Sequence, residues 1–285
     1  MSYKCFAVDV IDKVASIQLN RPDALNSMIR EFWNELPQIV RDLDRRGDVR
    51  AIVLSSTGKH FCAGMDLAVF ASDDNALAEP QGPDAIKEMG RLRARLRQSV
   101  LLLQESFTAF EKARMPVLAA IQGGCIGGAV DMVCAADMRY ATADAFFSIQ
   151  EINIGMTADV GTLQRLPKII PDGVAREYAY TGRRMSAARA KEVGLVNEVF
   201  ATQEEMLANV NEIAREIASK SPLAIWGTKE MVKFTRDHSV ADSLEHIATW
   251  QTGMFQPSDM VESFAAKAEG RDPVFPDLLP NPEEF

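Results

Sequence analysis

Three carboxylates, Asp131, Glu151 and Asp159, stand in or just after the least polar part of the chain and are the side chains best placed to move a proton. Asp131 interrupts the apolar run GGAVDMVCAA, where an unpaired charge is costly, so a partner or a function must justify it. Glu151 and Asp159 lie in the turn-rich stretch QEINIGMTADVGT. Carboxyls grouped in apolar surroundings have their proton affinities pushed apart, which leaves one able to accept a proton while another donates. Two glycine-containing turns could hold the negative charge that such a transfer creates. One is HFCAGMDL at 60 to 67, and the other runs from Gly123 to Gly128. Glycine lets backbone approach a ligand without a Cβ clash, and two converging N–H groups stabilise an oxyanion. Taken singly, each turn could equally be a tight connection, Asp131 a helix cap, and Glu151 and Asp159 solvated loop residues. Asp137 and Asp144 are read as structural.

Other chemistries find less support. The three histidines, His60, His238 and His246, form no H-x-x-x-H or H-E-x-x-H pattern, and no dinucleotide fingerprint is present. We therefore expect neither a metal site nor a redox cofactor. Cys5, Cys62, Cys125 and Cys134 lack C-x-x-C spacing and read as small buried apolar residues in a reducing compartment. A formal net charge of -9 provides no global attraction for nucleic acid or an anionic membrane. The uncharged run from Met115 to Val130 contains Pro116 and four glycines and is too short to span a bilayer. The opening MSYKCFAVDVIDK resembles neither a signal nor a transit peptide, so a cytoplasmic location is the expectation.

The positioning elements follow from periodicity. Strands are expected at 14 to 19, 51 to 54, 117 to 121 and 145 to 149. Between the first two, Met28, Phe32, Trp33, Leu36, Ile39, Val40 and Leu43 recur at helical spacing, with Pro37 expected to kink or limit the helix. Residues 71 to 83 read as a surface loop able to act as a lid before a long helix from 84 to 113. A short buried helix should follow the second glycine turn as far as Ala136, and another helical pattern begins near Leu163. Helices at 203–219, 222–236, 239–252 and 257–268 then lead to a proline-rich extended tail. The class is α/β, divided into a core over 1–200 and a helical region with tail over 201–285.

The segments NRPDALN, HFCAGMDL, IQGGCIGGAVD and the GTLQRLPKII region together resemble the crotonase, or enoyl-CoA hydratase/isomerase, superfamily from about residue 5 to 270. The resemblance implies a spiral of ββα turns with a C-terminal helical region, an acyl-coenzyme A substrate, a place in fatty acid β-oxidation, and a homotrimer or dimer of trimers. It assigns the oxyanion hole to the N–H groups of Met65 and Gly128. Substrate contacts fall to Arg21, Ala24, Ala63, Gly64, Asp66, Leu67 and Gly127. Arg21, and less strongly Lys229, Lys233 and Lys267, are candidates for the coenzyme A phosphates, and the Arg91, Arg93, Arg95, Arg97 series reads as a solvated or intersubunit face. Leu223, Ile225, Met231 and Phe234 are the apolar positions expected to support assembly.

Within the superfamily the carboxylates decide the reaction. Hydratases use two glutamates at positions matching Asp131 and Glu151 and commonly have glycine where this chain has Asp159. The pattern GGAVD, SIQEINIG, TADVGTLQRLP is similar to the Δ3,5-Δ2,4-dienoyl-CoA isomerases, whose acidic residues match all three. That resemblance implies proton removal at C2 by Glu151, donation at C6 by Asp159, and tuning or orientation of Glu151 by Asp131. The alternatives are a hydratase or Δ3-Δ2-enoyl-CoA isomerase, told apart by a 3-hydroxy product from a 2-enoyl-CoA. A more remote one is an RNA-binding member, against which the acidic charge and missing basic-aromatic run weigh.

Overall fold

The computed structural model describes residues 3–66, 68–69 and 85–282. The 71–83 lid expectation and Leu67 thus lie outside the described residues.

Strands β1 (Phe6–Ile11) and β2 (Val14–Leu19) form a hairpin that feeds a helix, α1 (Arg30–Arg46), and then β3 (Ala51–Ser56). From there the chain winds as a spiral. Helix α2 (Ala85–Lys112) leads to β4 (Val117–Ile121) and β5 (Gly124–Ile126), and α3 (Gly128–Cys134) leads to β6 (Met138–Thr142) and β7 (Phe146–Ser148). Later strands β8 (Met185–Ser186) and β9 (Glu198–Phe200) close both sheets. One sheet has the order β1-β2-β3-β4-β6-β9, parallel from β2 onward, and the smaller one β5-β7-β8. The turns bearing β4–β5 and β6–β7 therefore each give one strand to each sheet. This matches the expected ββα organisation, while β1, β5, β6, β8 and β9 add strands that periodicity alone did not reveal.

The central strands β3 and β4 of the large sheet are buried on both faces, which explains their unbroken apolar runs AIVL and VLAAI. Ile52, Leu54, Val117, Ala119 and Ile121 face the main core with α1, the end of α2 and α3. Their neighbours Ala51, Val53, Leu118 and Ala120 face a second core sealed by Met206, Val210 and Ala214 of a further helix, Gln203–Ala218. Before that helix in the chain come three short helices, α4 (Thr162–Arg165), α5 (Asp172–Thr181) and α6 (Ala187–Glu192). We label Gln203–Ala218 α7, followed by α8 (Pro222–Asp237), α9 (Val240–Met254) and α10 (Pro257–Glu269). The extended tail then returns across the start of β3, where Asp277 meets Lys13 and Arg50, and Asn281 N–H donates to the Arg45 carbonyl at 2.9 Å.

Pro37 does not limit α1, which continues to Arg46. A proline four residues after Trp33 leaves the Trp33 carbonyl without its helical donor. The hydroxyl of the fully buried Ser106 on α2 donates to that carbonyl at 2.9 Å, so the interruption becomes a contact between helices. All four cysteines are free and buried, as expected.

Candidate active site

The two glycine turns are stitched together by backbone bonds. Phe61 N–H donates to the Gln122 carbonyl at 2.8 Å, Cys62 N–H to Gly124 and Ile126 N–H to Cys62, both at 3.1 Å. Gly64 takes φ +85°, and a Cβ there would fall 2.7 Å from the Ile126 carbonyl oxygen. Only glycine permits this approach. A third segment, 20 to 28, locks the first turn: Asn26 Nδ2 donates to the Thr57 and His60 carbonyls at 2.7 and 3.0 Å, and Ala63 N–H donates to Leu25 O at 3.0 Å.

This framework leaves two donors free. Met28 N–H donates to Gly64 O at 2.8 Å and Asp66 N–H to Met28 O at 3.0 Å, so the parallel bridge between Met28 and Met65 occupies the neighbours of Met65 and turns its own N–H the other way. Gly128 is the first residue of α3, where an N–H has no intrahelical acceptor. Met28 Sδ and the Trp33 ring lie 3.1 and 3.8 Å from where a Cβ on Gly128 would sit, so both pack at this donor.

The carboxylates converge beside it. A Cβ on Gly127 would meet Glu151 Oε1 at 3.2 Å, which puts that carboxyl next to the oxyanion turn. Asp131, fully buried on α3, accepts from Thr162 N–H at 2.5 Å through Oδ1, while its Oδ2 and Glu151 Oε2 are buried without a protein partner. Burial pushes the Glu151 carboxyl up to about 7, helped by the charges of Asp131 and Asp159. Burial likewise raises Asp131 to about 6 against the opposing Thr162 hydrogen bonds, with Asp159 adding to the rise. Asp159 is the most open of the three, and partial burial raises it too. Its carbonyl accepts from Gln104 Nε2 of α2 at 2.7 Å.

Of the expected residues, Glu151 lies against Gly127, and Asp131 stands on the helix that Gly128 opens. Arg21, Ala24, Ala63, Gly64 and Asp66 gather where segments 20–28 and 60–66 meet: Ser27 Oγ donates to Asp66 at 2.9 Å and Arg21 Nη1 to the Ser27 carbonyl at 2.5 Å. Several expectations need correction. Asp131 does not cap the short helix it stands in; its carboxyl accepts from Thr162 N–H at the first turn of α4. Lys229 is not available to a phosphate, because its ammonium is buried on the Phe110 and Met115 carbonyls and on Asp137. Lys233 is engaged by Glu230. Sequence reasoning gave no role to Asn26, Ser27, Gln104 or Thr162. The pair Gly-Thr opening a helical pattern was a signal for the last. Among the described residues no group of three or more His, Cys, Asp or Glu could hold a metal ion. No helix among them is long and apolar enough to cross a membrane.

Comparison with known proteins points to one family. The family model for enoyl-CoA hydratase/isomerase matches residues 10–278. The human mitochondrial Δ3,5-Δ2,4-dienoyl-CoA isomerase is 43% identical over 273 residues, covering 95% of this chain and 81% of the human protein. The peroxisomal enzyme of the same name from Arabidopsis thaliana is 40% identical over 280 residues, covering 97% and 99% of the two chains. The crystal structure of an enoyl-CoA hydratase from Bacillus anthracis superposes with a TM-score of 0.83 at 29% identity, covering 95% of this chain and 99% of that one. The expected cytoplasmic location is overturned, because these dienoyl-CoA isomerases are mitochondrial or peroxisomal. Reduced cysteines argue against the secretory route but do not separate cytosol from matrix or peroxisome.

Proposed function

The chain belongs to the enoyl-CoA hydratase/isomerase family, and from that premise we propose that it converts 3,5-dienoyl-CoA to 2,4-dienoyl-CoA. The observation that carries this reading is a third carboxylate, Asp159, held in the same charge field as Asp131 and Glu151 beside two free backbone donors. The thioester oxygen accepts from Met65 N–H and Gly128 N–H. Ionised Glu151 takes a proton from C2, the electron pair spreads through the diene onto the thioester oxygen, and its return forms the C2=C3 and C4=C5 bonds as Asp159 gives its proton to C6. One carboxylate cannot easily serve both ends, which is why two are needed. In the free site Glu151 holds a proton more tightly than an ordinary glutamate; a bound acyl chain covers Asp159 and strengthens its hold in turn. Asp131 fixes α4, and through it the segment bearing Asp159, by its bond to Thr162.

No metal or redox cofactor enters this chemistry, so activity is expected to survive prolonged EDTA treatment. Coenzyme A arrives as part of the substrate. The working assembly in this proposal is a homotrimer or a dimer of trimers, with the 201–285 region at its interface. The decisive assay supplies a 3,5-dienoyl-CoA and follows the conjugated 2,4 product. Asp159→Asn should lower that rate about 10²- to 10⁴-fold with little change in binding, the usual worth of a positioned general acid. A wild-type rate in this variant, or a 3-hydroxy product formed efficiently from a 2-enoyl-CoA, would replace the proposal with a hydratase reading.

A further inference from the structure

His60 lies outside the proton path but at the seam of the two glycine turns. Its Nδ1 accepts from Gly124 N–H at 2.9 Å. Gly124 is buried and its carbonyl already accepts from Cys62, so its N–H would be left without a partner if the imidazole withdrew. The ring reaches this position because residues 123 and 124 lack side chains: a Cβ at Gly123 would lie 2.8 Å from Nδ1, and one at Gly124 3.3 Å from it. The His60 carbonyl is held by Asn26 Nδ2 at 3.0 Å and by Ser56 Oγ at 3.4 Å. Phe146 meets the ring edge-on at 6.2 Å.

Resting on the thioester reading above, we propose that neutral His60 is a positioning residue for the oxyanion hole, its Nδ1 fixing the spacing between the turns that present Met65 N–H and Gly128 N–H. Met65 follows His60 by one short turn, and Gly128 follows Gly124 by another, so a bond between His60 and Gly124 sets where both donors emerge. An acceptor at Nδ1 requires the tautomer with hydrogen on Nε2. No carboxylate among the described residues bonds the imidazole, so its Nδ1 stays committed to the Gly124 N–H.

The test reads the hole without turnover. Two aligned N–H donors polarise a bound 2,4-dienoyl-CoA and move its absorption band to longer wavelength. The wild-type enzyme should show this displacement in full. His60→Asn, whose Oδ1 takes the place of Nδ1 as acceptor, should retain most of it. His60→Ala should lose most of it, with kcat reduced about 10- to 100-fold, less than the loss of a whole donor. An undiminished displacement in His60→Ala, or a loss in His60→Asn as large as in His60→Ala, overturns the proposal. If wild type produces no displacement at saturation, the thioester reading fails instead. Hydrogen-exchange protection of the Gly124 amide then still decides the role of His60: it must weaken in His60→Ala and not in His60→Asn.

Discussion

Asp131 illustrates how a working residue weakens the fold that holds it. Burial raises its carboxyl from 3.8 to about 6, so ionising it in the folded protein costs about 3 kcal/mol. The folded value lies above the unfolded one; the cost is therefore absent below about 3.8, grows as pH rises through about 6, and is complete above. Asp131→Asn keeps the acceptor for Thr162 and removes the charge. Its urea midpoint should exceed that of wild type at pH 8, by up to about 3 kcal/mol in stability, and show no gain near pH 3.5. Equal destabilisation at both pH values would mean that ionising Asp131 costs the fold nothing. The trio also sets the pH profile. Isomerisation of a 3,5-dienoyl-CoA needs one proton in the site, on Asp159, with Glu151 bare. Glu151 is pushed up to about 7, so kcat/KM should fall as pH drops through that value because the base is blocked. It falls again in alkali once the acid, whose carboxyl partial burial also raises, has lost its proton. The two limbs belong to the coupled set and not to single residues. A profile that rises to a plateau and stays level to pH 9 would remove the carboxylic acid from the mechanism.

At the level of elements, the glycine turns carry the precision of the site, and Gly64 is their tightest point. Gly64→Ala combines a φ of +85° with a 2.7 Å collision against the Ile126 backbone oxygen, so the turns must separate. Activity should drop about 10²-fold or more, as for loss of an oxyanion donor, and the protein should remain folded because the large sheet lies elsewhere. A kinetically normal Gly64→Ala enzyme would show that the hole does not depend on this seam. Both turns and all three carboxylates were legible in the sequence because they combine special residue types with local order. The short strands β5, β8 and β9 were not, since so short a run shows no period. Nor were the long-range partners. That Thr162 would receive Asp131, or that Ser106 would replace the donor missing at Pro37, depends on contacts between segments distant in sequence.

The whole molecule divides its apolar surface unevenly. Helix α7 is fully committed to the second core, through Met206, Val210 and Ala214. Helices α8 to α10, by contrast, leave Val232, Leu244, Val261 and Phe264 each about 60 to 70% exposed. They also enclose a groove of about 510 Å3 lined by Met231, Ile247, Trp250 and Met260. Three amphipathic helices with this much uncovered apolar surface are more typical of an obligate homomeric interface than of a solvated face. The four positions singled out for assembly are themselves only partly covered: Leu223, Ile225, Met231 and Phe234 are all intermediate in exposure. The proposed trimer would bury these helices between copies. Light scattering at micromolar concentration should therefore give three or six times the 31.4 kDa of one chain. Val261→Asp combined with Phe264→Glu should move that mass toward the single chain while leaving the far-ultraviolet circular dichroism unchanged, because both side chains point away from the protomer's own core. A wild-type mass of one chain would sink the assembly proposal. It would leave the carboxylates, which are all supplied by one protomer, where they are.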